Sequence, residues 1–287
     1  MGRRIGDRRD GTLIRDIDSM HFIMPMLYPN RCDNEAFISE RIDLTNAAGY
    51  LAVKNAGEPE YPYNLFQLIV TAMLKTVALR PKMNRFIANG NMYQRNELTA
   101  SFVVKKLFAD DGGEALALIK AQDDYNIDSI HDEIFRQVSV CRSDKKDGSS
   151  ESMDAIQRLP RFVAKAGVRF LRVLDKYGKV PAFLIATDPY YSSIVLTNLG
   201  SIQLRSGYHH LTNWGTNSIF CAIGERKRRP FYRADGSVEM RDSIDLGLTI
   251  DERLADGYYY SRTMRLLRRL LEEPELLERP LCEKVEF

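Results

Sequence analysis

The fold is decided by the stretch Asp245-Leu246-Gly247-Leu248-Thr249-Ile250-Asp251-Glu252-Arg253-Leu254-Ala255-Asp256-Gly257. From Ile244 to Ile250, apolar residues alternate with Asp245, Gly247 and Thr249, the period-two pattern of a strand with one buried face. Carried one step further, the alternation puts the Glu252 side chain on the same side as Leu248 and Ile250. After Gly257 the chain reads as a helix, with Arg268 and Arg269 each one turn before a glutamate, Glu272 and Glu273. These spacings make the basic C-terminal helix a solvated face.

Upstream, Ala234-Asp235-Gly236 supplies a hairpin turn, and residues 194–199 and 218–223 read as strands. Residues 159–176 have apolar side chains at helical spacing, and SDKKDGSSES, at 143–152, is the one clear flexible loop. Residues 130–138 and 115–121 have helical composition. Asn89-Gly90 is a strong turn signal between paired strands. The apolar run Leu65–Leu79 has Asn64 as its N-cap and stops at Arg80-Pro81, because the residue before a proline is pushed out of the α region. Broken by Gln67 and Lys75, and short of the about 20 residues that span a bilayer, the run is read as a buried helix. Residues 40–44 form a short strand, and the arm from Met1 to Gly11 is charged and punctuated by glycine.

A chain of 287 residues, 44% of them apolar, can bury a sizeable core. Its net charge of +2 names no partner and argues against a nucleic-acid coat. The four cysteines, Cys32, Cys141, Cys221 and Cys282, are far apart, form no zinc spacing and do not make a disulfide framework. The arm is Arg-rich without the apolar stretch of a signal peptide, so the expected location is the reducing cytoplasm. The expected organisation is a flexible basic arm over residues 1–16 and a single domain over 17–287, with the variable loop at 143–152.

Three stretches, in order, resemble the superfamily of CoA-dependent acyltransferases that contains chloramphenicol acetyltransferase and the catalytic domains of the 2-oxo acid dehydrogenase acyltransferases. They are the helix FQLIVTAMLKTVALRPKMNRFIANG, then Thr197-Asn198-Leu199-Gly200 followed by the strand SIFCAIGE, and DLGLTIDERLADG in the place of the family's DHRxxDG or HHxxxDG. The resemblance covers about Ile17 to Leu277. It implies an α/β two-layer sandwich with a mixed sheet, a homotrimer or an assembly of trimers, active sites at subunit interfaces, CoA or acyl-CoA as acyl donor and a small-molecule acyl acceptor. No lipoyl attachment, metal site or membrane segment is expected, and nothing resembles a peripheral-subunit-binding domain.

The resemblance also assigns the site. In the family the motif histidine removes a proton from the acceptor, a hydroxyl on the Ser-Asn-Leu-Gly strand holds the oxyanion, and the motif aspartate holds the loop. Thr197 falls on the hydroxyl, Asp256 on the aspartate, Gly257 on the glycine and Glu252 on the histidine. A glutamate titrating at about 4.3 is a poor base at neutral pH unless burial raises its proton affinity, and the strand alternation puts Glu252 on an apolar face. Two functions follow: a CoA-dependent acyltransferase with Glu252 as base, or a non-catalytic trimeric binding or scaffold protein that keeps the fold. If Glu252 and Asp256 only hold the turn, Arg253 or an N-terminal arginine is a candidate partner. The pair His209-His210, in the loop GYHHLTNWG, is the other candidate base, because histidine titrates near neutrality. It is expected away from Glu252. Cys221 sits in an apolar strand and is read as core.

Overall fold

The computed structural model describes residues 4–105, 114–142, 156–186 and 188–287. The expected loop at 143–152 lies outside the described residues. In chain order the strands are β1 (Gly11–Leu13), β2 (Glu35–Asp43), β3 (Arg85–Ala88), β4 (Asn91–Arg95), β5 (Leu98–Lys105), β6 (Glu114–Ala121), β7 (Ile194–Asn198), β8 (Ile219–Ile223), β9 (Lys227–Tyr232) and β10 (Val238–Asp251). Helices α1 (Ser19–Leu27), α2 (Thr45–Lys54), α3 (Leu65–Leu79) and α4 (Ile127–Arg142) precede an amphipathic helix, Arg161–Lys176, and the C-terminal helix Gly257–Glu272.

The main sheet is ordered β2-β10-β8-β7-β5-β6, with β9 paired to β10, and it is mixed: β7 runs parallel to both β5 and β8 while the other pairs are antiparallel. Side chains alternate across a strand, so Ile194 and Leu196 point into the main core while Val195 points to the opposite face. The core face packs against α3, α4 and the C-terminal helix. This is an α/β two-layer sandwich with a mixed sheet, and a small sheet, β1-β4-β3, lies beside it.

The two polar breaks in α3 are anchored, although Gln67 Nε2 stays buried without a hydrogen-bond partner among the described residues. Gln67 completes a capping box with Asn64, and the buried Lys75 reaches the chain end, where its Nζ donates to the carbonyls of Leu276, Arg279 and Pro280 at 2.8, 3.1 and 2.9 Å. Each fully buried leucine or isoleucine of this helix contributes about 1.5–3 kcal/mol.

Two expectations are corrected. Residues 115–121, helical by composition, form β6. Ala115, Ala117, Ile119 and Ala121 are buried at period two, and the antiparallel pairing with β5 outweighs the helix propensity of alanine, leucine and lysine. The basic arm is bound to its own chain from Arg4 onward. Gly11 to Leu13 pair with Arg95 to Tyr93, and the buried Arg8 holds Asp10 at 2.8 Å and the Asp175 carbonyl at 2.8 Å. A guanidinium this buried stays because a carboxylate and a carbonyl satisfy it.

Candidate active site

Strand β10 ends at Asp251, and Glu252 opens a short 3-10 turn, Glu252–Leu254. The alternation therefore stops one residue too early for the expected geometry, and Glu252 is exposed instead of buried beside Leu248 and Ile250. The residue that stops it is Asp251, 0% exposed, whose carboxylate accepts the backbone N–H of Arg253 at 3.2 Å. The Arg253 side chain, also 0% exposed, folds back to donate from Nε and Nη2 to the two Asp251 oxygens at 2.8 and 2.6 Å. Arg253 is thus a turn-holding arginine as anticipated, but its partner is Asp251, not Glu252 or Asp256. The sequence reading missed this pair, although an aspartate two residues before an arginine at a strand end is the local signal for it.

Asp256 is exposed and caps the C-terminal helix, its Oδ1 accepting the Tyr259 N–H at 2.8 Å. That bond to the charged form holds its carboxyl below the usual carboxylate range. Thr197 lies elsewhere. It sits opposite Ala222 of β8, which is opposite Gly247 of β10. Gly247 is five residues before Glu252, about 16 Å along the strand. One chain does not bring Thr197 and Glu252 together.

What Thr197 does share is a cavity of about 630 Å³ on the outer face of the sheet. Its walls are mainly apolar, from Val103 and Val195 to Leu171, Leu184 and Phe220, and five polar-bearing side chains line it: Thr197, His209, Asp188, Tyr190 and Trp214. The loop bearing His209 is laid on the sheet by two glycines. A Cβ at Gly247 would meet the Gly207 carbonyl at 2.0 Å, and one at Gly224 would meet the Ser206 nitrogen at 2.5 Å. Further along, Trp214 Nε1 donates to Asp188 Oδ2 at 2.6 Å, Gly215 N–H donates to Asp175 Oδ2 at 3.1 Å, and the Arg31 N–H donates to Asn213 Oδ1 at 2.7 Å. Burial pushes the carboxyls of Asp188 and Asp175 up, against the pull of these hydrogen bonds.

His209 stacks on Phe220 with ring centres 4.1 Å apart and planes 10° apart, and its Nδ1 lies 2.8 Å from the His210 carbonyl oxygen. His210 is exposed. The other two histidines serve the fold: His21 pairs with Asp18 at 2.6 Å, and the buried His131 stacks on Tyr63 with Nε2 2.7 Å from the Tyr61 carbonyl oxygen. Cys221 is fully buried, its thiol pushed up to about 12 by desolvation, so it is core and no nucleophile. Among the described residues no group of three or more His, Cys, Asp or Glu side chains could hold a metal.

The fold is shared with solved acyltransferase structures. The structure aligns with the dihydrolipoamide acetyltransferase of Azotobacter vinelandii with a TM-score of 0.61 at 14% identity, covering 93% of this chain and 94% of that one. A probable dihydrolipoamide acetyltransferase from Listeria monocytogenes aligns at 0.59 and 15%, covering 94% and 96%, and chloramphenicol acetyltransferase at 0.53 and 15%, covering 92% and 98%. At the sequence level, residues 186–278 match the family "2-oxoacid dehydrogenases acyltransferase (catalytic domain)", so the expected resemblance stands, with Thr197, Glu252 and Asp256 all inside the matched segment. Among curated protein sequences none matches the chain.

Proposed function

We propose that the protein transfers an acyl group from a CoA thioester to a small apolar acceptor bound in the cavity beside Thr197. The observation that carries this reading is the cavity itself: apolar walls that fit a small hydrophobic molecule, and a strand threonine on its wall in the fold of an acyltransferase. Among the described residues no protein group bonds the Thr197 hydroxyl, so it is available to donate to a developing oxyanion.

In this reading the working unit is a trimer or an assembly of trimers, and Glu252 closes the site of a neighbouring copy. Large apolar side chains stand uncovered on α1 (Met20, Phe22) and on the amphipathic helix (Phe162, Phe170), more than a lone soluble chain ordinarily exposes. The structural neighbours include the cubic core of the pyruvate dehydrogenase multienzyme complex, at a TM-score of 0.55 and 13% identity. Asp256 acts by fixing the helix that follows Glu252. In this reading the protein works in a reducing compartment such as the cytoplasm.

The test is release of free CoA thiol from acetyl-CoA, measured against a panel of apolar alcohols and thiols. Acceptor-dependent release that drops in Thr197→Val is the expected result. No release with any acceptor leaves the scaffold reading, in which the trimer forms and the cavity binds without turnover.

A further inference from the structure

We propose that His209, not Glu252, is the proton acceptor of the transfer. The inference rests on the acyl-transfer reading above and concerns a residue outside the histidine motif. A base in this site needs a lone pair, a fixed orientation and access to the bound acceptor. His209 has all three. A carbonyl oxygen only accepts, so Nδ1, 2.8 Å from the His210 oxygen, carries the proton and Nε2 of the neutral ring keeps its lone pair. Among the described residues nothing bonds Nε2. The ring is clamped flat on Phe220, and its loop is seated by the close backbone approaches at Gly224 and Gly247.

Access follows from strand register. Phe220 is paired with Val195, two residues before Thr197 on the same face, so the Cα atoms of Thr197 and Phe220 are about 8 Å apart, one strand spacing across and two residues along. Thr197 and His209 both line the cavity of about 630 Å³. Glu252 is exposed in its own chain and does not line this cavity.

The step balances without a co-reactant. The acceptor oxygen or sulfur attacks the thioester carbonyl carbon as its proton passes to His209 Nε2. The carbonyl π electrons move to oxygen, where the Thr197 hydroxyl donates to the resulting oxyanion. Collapse restores the C=O bond and breaks the C–S bond, and the leaving CoA sulfur takes the proton back from the imidazolium.

The experiment uses the whole chain, acetyl-CoA and an acceptor active with wild type, comparing His209→Ala and His209→Gln with and without added imidazole. Turnover should fall by about 10² to 10⁴-fold in both variants, with thermal unfolding unchanged, and free imidazole should restore saturable activity to the alanine variant, whose cavity has room for it. Either variant at wild-type turnover overturns the proposal and leaves acyl transfer standing. Loss without imidazole rescue also overturns it, since a ring that only packs on Phe220 behaves that way. A wild type inactive with every acceptor sinks the acyl-transfer reading and this inference together.

Discussion

The turn at the end of β10 and the cavity wall over β7 and β8 both hold polar side chains against the sheet, and they hold them in opposite ways. In the turn the charge is deeply buried and spent: Asp251 and Arg253 take up each other's hydrogen-bonding groups, and Glu252 faces outward. On the cavity wall the surroundings are apolar, Trp214 bonds Asp188 and His209 Nδ1 faces the His210 carbonyl, and among the described residues nothing bonds the Thr197 hydroxyl or His209 Nε2. In this chain the motif position is an architectural joint, and the groups without a bonding partner in the apolar cavity are where the proposed transfer would take place.

Breaking the buried pair gives the largest effect. Asp251→Ala strands the Arg253 guanidinium without a counter-charge, and a lost partner in a buried pair costs about 3–5 kcal/mol, to be read from the urea midpoint at an unchanged slope. A midpoint within experimental scatter of wild type would mean that the pair does not hold the turn.

On the cavity side, Gly247→Ala forces a methyl to within 2.0 Å of the Gly207 carbonyl, so the loop carrying His209 has to lift. The expected cost is about 1–3 kcal/mol of overpacking, together with loss of most transfer activity. Retained activity in the destabilised variant would uncouple the loop from the chemistry.

A smaller effect separates the regions by pH. Burial raises Asp175 above its unfolded value by more than Tyr191, the Gly215 N–H, Arg8 and Arg31 lower it. A carboxyl raised in the folded state contributes its stability in full below the unfolded value and loses it as pH rises through the folded value. Asp175→Asn removes that titration while keeping partners for Gly215 N–H and the Tyr191 hydroxyl. The variant should gain stability relative to wild type as pH rises from the unfolded carboxylate value of about 3.9 through the raised folded value, and a difference flat with pH would contradict the raised carboxyl.

The smallest effect is assigned to the motif residue. Glu252→Gln should change stability by less than about 0.5 kcal/mol, as exposed substitutions do, and should lower turnover far less than His209→Ala. A loss of two orders of magnitude or more would return the base to Glu252.

Much of the fold was legible because its signals are local. Asn64 before an apolar run that stops at Arg80-Pro81 announces α3, Asn89-Gly90 announces the β3–β4 hairpin, and the alternation at 244–250 announces β10. The failures are non-local. Residues 115–121 carry helix formers and become a strand only because β5 is there to pair with them. Arg268 has Glu272 one turn away yet binds Glu40 on β2, while Arg269 does take Glu273 at 3.2 Å. For the site, the three motif positions could be aligned residue by residue, but the early end of β10 could not, because it depends on where Arg253 folds back. The contact of Gly207 with Gly247, 40 residues apart, is equally silent in sequence, and it is what brings His209 to the cavity.

The most direct measurement is a crystal structure of the protein assembled in solution and bound to CoA. The CoA sulfur is expected at the mouth of the Thr197 cavity, within hydrogen-bonding distance of His209 Nε2, with Glu252 of a neighbouring copy at its edge. A CoA sulfur lying against Glu252 and away from both Thr197 and His209 would contradict that placement.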